Sequence, residues 1–138
     1  MMDMVNRAHR DQRGLVGKFM IVWLLLLGVI VLVGYDAVSI AITTFEVSDV
    51  AAQAATDGVV EYRNEHDLAA ACAVAQATIT ADQPDLKLGK NFCTGDPEAV
   101  TITITLKTTA HTFALGRLDF TKHYTNITQT ETAGESAV

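Results

Sequence analysis

Proline is missing from the first 83 residues of this chain, glycine from the 23 between Gly34 and Gly58, and ionisable side chains from the 17 between Lys18 and Asp36. The first two absences remove the usual helix breakers, so nothing forces a helix begun near the N-terminus to stop. The third leaves Phe19 to Tyr35 as one uninterrupted apolar run. Catalytic punctuation is missing too. There is no His-x-x-x-His, no Cys-x-x-Cys, no phosphate-binding glycine loop and no nucleophile elbow, and His66, His111 and His123 stand far apart as surface histidines. No catalytic residue, metal ligand or cofactor is therefore assigned. Asn126-Ile127-Thr128 fits a glycosylation acceptor, but in a Thr-rich segment the match carries no weight.

What is present begins with that run. A 17-residue helix covers about 25 Å of a hydrocarbon core about 30 Å thick. Because Asp36 is the only ionisable group between Lys18 and Glu46, the span can extend past it, and residues 19–42 are assigned as one transmembrane helix. Trp23 lies within the run and Tyr35 closes it as an interfacial aromatic. Residues 1–18 form a basic leader, with Arg7, Arg10, Arg13 and Lys18 against Asp3 and Asp11, a net +2. These cations anchor the N-terminus in the cytoplasm. Residues 36–138 carry 14 Asp and Glu against 6 Lys and Arg, a net −8, which argues against nucleic acid and against docking on anionic headgroups. A cleaved export signal ending near Ser39-Ile40-Ala41 is the competing reading. It is disfavoured because the apolar core is too long and the helical pattern continues past the site.

Beyond the span, Ile40, Val47, Val50, Ala51, Ala54 and Ala55 follow helical spacing with Glu46, Asp49, Gln53 and Asp57 between them. This small-residue stripe packs either on the chain's own domain or closely against neighbouring helices, for which Asp36, Ile40, Val47, Ala51 and Ala54 are the candidates. Gly58 and Arg63-Asn64-Glu65-His66 mark a break or bend, and Asp67 an N-cap for a second helix from Leu68 to about Thr80. Gln83-Pro84-Asp85 is a turn. Leu86, Leu88 and Phe92 then alternate as a strand, and Thr94-Gly95-Asp96-Pro97 turns again. In "VTITITLK", Val100, Ile102, Ile104 and Leu106 share one face of a half-buried antiparallel strand. "HTFALGRLDF" is a loop or short helical turn presenting Phe113, Leu115, Leu118 and Phe120; Tyr124 to about Thr132 is a Thr-rich return strand, and "GESAV" a frayed tail.

The expected architecture is α+β: a single N-terminal transmembrane helix extended into a long helix, then a small extracytoplasmic domain, residues 43–138, with a short helix and a three-stranded antiparallel sheet. Such a domain has a thin core. Cys72 and Cys93, exported together, are expected as a disulfide; separate thiols and pairing between chains are the alternatives. Asp36 is singled out as either a headgroup-level cap or, inside the bilayer, a partner for another subunit.

The layout resembles one known family. Arg13-Gly14 before a long apolar helix, the Ala-rich "VSDVAAQAATDGV", a mid-chain helix with a Cys, the alternating Thr/Ile strand and the ending "TFALGRLDFTKHYTNITQTETA" together look like TadE/TadG-like proteins of the tight-adherence (Flp-type) pilus machinery of bacteria. The ending, with Phe113 and Leu115-Gly116 before a final strand closing near Ala133, is the most telling part. The resemblance implies a pilin-like pseudopilin in the bacterial inner membrane, with its C-terminal domain outside and its leader cut after Gly14 to leave Leu15. One departure is that the family's Glu-Phe after the cut is Lys18-Phe19 here. A buried Glu neutralises a neighbouring subunit's free amine, whereas Lys18 repels it and acts as an ordinary cytoplasmic anchor.

The reading that follows is a non-enzymatic, N-in/C-out pilin-like component of a pilus or secretion apparatus. Its partners are the lipid bilayer and other pilin-like or machinery subunits, in a homo- or hetero-oligomer, with no nucleic acid. The alternatives are a membrane-anchored extracytoplasmic binding module, and an anchored thiol enzyme that would need a free reactive Cys.

Overall fold

The proline-free N-terminal half is one helix, α1, Met2–Glu65, of 64 residues and about 96 Å long at 1.5 Å per residue. The computed structural model describes residues 2–134, and of residues 2–15 the backbone alone. The anchors Arg7, Arg10 and Arg13, the processing site at Gly14 and Leu15, and the tail after Gly134 therefore fall outside what is described of side chains or of chain. From Val16 onward α1 is long and apolar enough to cross a membrane.

Of the break expected at Gly58 and Arg63-Asn64-Glu65-His66, only the second part occurs, and α1 runs on past Gly58 for seven more residues. Gly58 is instead where a second helix crosses closely: a Cβ there would lie 3.3 Å from the Ala71 carbonyl oxygen and 3.3 Å from Ile102 Cγ2. The glycine is tolerated because what it costs in helix propensity, about 1 kcal/mol, is offset by the contact it permits. The stop comes at His66, whose left-handed φ of 56° turns the chain while its N–H donates to the Tyr62 carbonyl at 2.8 Å, an αL cap. Asp67 then accepts from the Ala69 N–H at 2.8 Å and starts α2, Leu68–Asp82, as expected of its N-cap.

Helix α2 returns along α1, burying Ala71, Ala75 and Ile79 against the Ala51, Ala54, Ala55 and Val59 stripe. Small side chains on both helices bring the axes close. The stripe, Val47 and Val50 included, is therefore covered from within the chain, and Ile40 is half-buried.

The strand expected over Leu86, Leu88 and Phe92 is irregular chain, although all three side chains pack on the core. Alternation reports which way side chains face; of the three, only Phe92 reaches β2, its carbonyl accepting from the Thr105 N–H at 2.8 Å just before β1 begins. The first strand is β1, Cys93–Asp96, which takes Thr94 and Gly95 out of the expected turn. Gly95 lies under α2, since a Cβ there would meet Leu68 Cδ1 at 2.5 Å. The turn falls one step later, where Asp96 Oδ1 accepts from the Glu98 N–H at 2.9 Å and Val100 adopts φ 49°. Val100 thus leaves the strand face to which its spacing assigned it.

Strand β2, Thr101–Thr109, buries Ile102, Ile104 and Leu106 and is central in a β1-β2-β3 antiparallel sheet with β3, Asn126–Gly134. The β2–β3 register runs from Thr101 opposite Gly134 to Thr109 opposite Asn126. The outer face is a threonine ladder, with Thr103 against Thr132 at 2.8 Å and Thr105 against Thr130 at 3.2 Å. Between β2 and β3 lie a 3-10 turn, Leu115–Arg117, and a one-turn helix α3, Lys122–Thr125. The result is two layers, helices over sheet, an α+β arrangement. Cys72 of α2 and Cys93 of β1 are bonded, with sulfurs 1.95 Å apart.

Two outcomes test this packing. Gly58→Leu must push α1, α2 and β2 apart, and is expected to lower the stability of the detergent-solubilised chain by about 1–3 kcal/mol in denaturant unfolding. Opening the 21-residue Cys72–Cys93 loop is expected to cost about 3 kcal/mol, with intact mass rising by about two units when the bond is reduced.

Candidate functional site

The site grows from an oddity in the sequence, a carboxylate at the end of an apolar run. Asp36 lies 18 positions after Lys18, about 27 Å along the helix axis. Its side chain is fully buried, unlike the exposed residues on either side. What buries it is the segment after β2. The Phe113 N–H donates to Asp36 Oδ1 at 2.6 Å, and the N–H groups of Ala114 and Leu115 donate to Oδ2 at 2.8 Å each.

Successive backbone amides converging on one anion form a concave nest. Leu115 opens the 3-10 turn, whose N-cap Ala114 provides no side-chain acceptor. Asp36 therefore caps that turn from 79 residues away, satisfying donors that would otherwise be orphaned. Charge-assisted bonds of this kind are about twice as strong as neutral ones, and a carboxylate enclosed without them would be severely penalised. Neighbouring contacts widen the clasp. Ser39 Oγ donates to the His111 carbonyl at 2.6 Å, and the Tyr35 and Phe113 rings meet edge to face at 6.1 Å. Thr121 Oγ1 donates to the Leu115 carbonyl at 2.5 Å and ties down the far side. The exposed Lys122–Asp119 pair at 2.6 Å adds little.

Asp36 thus finds its three partners in its own chain rather than in another subunit. The expected histidines are not brought together. His66 ends α1 at the far end of the domain, while His111 and His123 are exposed near the clasp. Both cysteine sulfurs are consumed in one bond, which leaves the thiol-enzyme alternative without a nucleophile. Lys18 is exposed.

A second feature lies on the face of α1 turned away from the domain. Tyr35, Val38, Ile42 and Phe45, spaced by three, four and three residues, are 59%, 58%, 52% and 75% exposed. They continue the apolar surface of residues 19–34 toward the core of the domain along one stripe. Beside it is a shallow groove lined by Phe45, Glu46, Ser48, Asp49, Ala52 and Glu131, so the stripe has an acidic flank. Sequence reasoning named neither this stripe nor the amides of residues 113–115. The stripe was masked by the stronger pattern on the opposite face, and backbone donors leave no signature in side-chain order.

Asp36→Asn replaces one acceptor oxygen by a donor that faces amide donors. Amide exchange at Phe113, Ala114 and Leu115 is expected to accelerate by about an order of magnitude or more, while exchange in α2 stays unchanged. No family model, no curated protein and no solved structure matches this chain.

Proposed function

We propose that this protein is a membrane-anchored, pilin-like structural subunit of a bacterial Flp/Tad-type pilus or related secretion apparatus, acting through helix packing and protein contacts rather than catalysis. The observation that carries the reading is the continuity of α1: one helix joins an apolar span to the core of the domain and keeps Val38, Ile42 and Phe45 exposed along one face where the two meet. Phe45, three residues past the assigned span, is 75% exposed, an apolar side chain for which a helix that served only as a tether would have no use. The groove with Glu46, Asp49 and Glu131 selects a neighbour with basic side chains flanking an apolar face.

The clasp also favours a retained helix over an export signal. Cleavage near Ser39-Ile40-Ala41 would discard Asp36 and strand the amides it holds. The binding-module alternative would draw on the cleft at the far end, lined by Tyr62, His66, Leu68, Asp96 and Pro97, but its volume is about 120 Å³. Ligand sites typically start at roughly 300 Å³, so this cleft is small for one, and the larger grooves beside Phe45 and beside Arg117, about 500 and 380 Å³, lie open on the surface.

Cysteines placed at Ile42 and Phe45 are expected to form oxidative cross-links to neighbouring helices in native membranes, whereas one at Val60, exposed on the distal part of α1, is not. Ile42→Glu and Phe45→Glu should abolish that assembly while the Cys72–Cys93 bond still forms. A chain that stays monomeric in its native membrane would leave the helix as a plain anchor.

A further inference from the structure

We infer that residues 110–125 form a foot seated in the interfacial layer of the bilayer that α1 crosses, with its aromatic side chains at the acyl-chain boundary and Arg117 and Lys122 at phospholipid phosphates. The inference rests on reading α1 as a span.

Position comes first. Contacts along α1 are ordered: Gly58 lies against Ile102, Ser48 bonds Glu131 at 2.8 Å, Ser39 holds His111 and Asp36 holds residues 113–115. Strand β2 therefore descends toward the apolar run, and the connection from β2 to β3 is the part of the domain nearest the membrane. Asp36 itself, about 27 Å from Lys18, lies at the edge of a hydrocarbon core about 30 Å thick.

Composition matches that depth. Past Phe45, six large apolar side chains are exposed among the described residues, and four of them are in the foot: Phe113 at 66%, Leu118 at 45%, Phe120 at 77% and Tyr124 at 68%. In water such a cluster is a liability, whereas at headgroup level amphipathic and aromatic rings are favoured. The edge contact between Phe113 and the exposed Tyr35 makes the cluster continuous with the lipid-facing surface of α1, which singles out the bilayer as its occupant.

Charge agrees locally, although the exported part as a whole is −8. Residues 110–125 carry Arg117 and Lys122 against Asp119, a net +1, with Lys122 beside Asp119 at 2.6 Å. Arg117 and Lys122 line a cleft with Thr109, Thr112, Thr125 and Asn126, and among the described residues no acidic side chain pairs with Arg117. A guanidinium flanked by hydroxyls suits a phosphate oxygen. A net charge taken over the whole exported part averages this patch away, since screening confines each charge to within about 8–10 Å.

Trp23 is the sole tryptophan, which permits a direct depth measurement. The full-length chain is reconstituted in phosphatidylcholine–phosphatidylglycerol vesicles carrying bromine either high or low on the acyl chains, and tryptophan quenching is read. The wild type reports the span through Trp23. In a Trp23→Phe background, Phe120→Trp and Tyr124→Trp report the foot, and Val60→Trp the distal end. The expected result is that Trp23 is quenched, both foot tryptophans lose most of their emission to shallow bromines and little to deep ones, and the Val60→Trp chain is unaffected. Quenched Trp23 with unquenched foot tryptophans overturns the foot and leaves the span standing. Unquenched but blue-shifted foot tryptophans assign the patch to a protein neighbour and also overturn it. If Trp23 is unquenched as well, the span reading falls. All substituted side chains are exposed, so folding is retained, and formation of the Cys72–Cys93 bond checks it in each variant.

Discussion

Everything at the lower end of the domain depends on one carboxylate receiving three backbone amides. Without Asp36, residues 113–115 would offer a row of donors with no acceptor, and the connection between β2 and β3 would lose its attachment to α1. The cost runs in both directions, because a carboxylate enclosed by protein must be hydrogen-bonded to remain charged. Helix and connection thus hold each other, and the domain is tied to the helix at the level where the apolar run ends.

The upper end is held by different physics. There the contacts are between small side chains: Ala51, Ala54 and Ala55 of α1 meet Ala71 and Ala75 of α2, and Ile102, Ile104 and Leu106 close the layer from the sheet. Alanine buries little area, so close approach rather than bulk makes this core; at Gly95 a single added methyl group would not fit, and at Gly58 it would be tight. The Cys72–Cys93 bond restrains a loop in a domain too small to rely on burial alone.

The long-range order of the fold was legible where side-chain pattern carries it. The apolar run, the N-cap at Asp67 and the buried face of β2 follow directly from spacing. What spacing could not supply was hydrogen-bond partnership. Leu86 and Leu88 alternate with Phe92 like a strand yet lie in irregular chain, and Val100 reads as a strand residue yet turns at positive φ. Gly58 was misread for a related reason: a glycine looks alike whether it breaks a helix or admits a neighbour, and only the approach of Ala71 decides. At the clasp, Asp36 stood out because a charge there needs an explanation, but its partners are main-chain groups 77 to 79 residues away, invisible to any reading of side chains.

The descent of β2 alongside α1 has a mechanical side. Strand β3 ends at Gly134, opposite Thr101 and therefore at the end of the domain remote from Asp36. A pull exerted between that point and the apolar end of α1 acts parallel to the strands. Such a load is shared by the nine β2–β3 residue pairs at once instead of opening them one after another. A tension that would readily peel a hairpin from its tip therefore meets the whole ladder in shear, and the domain resists stretching most strongly along the axis of its own helix.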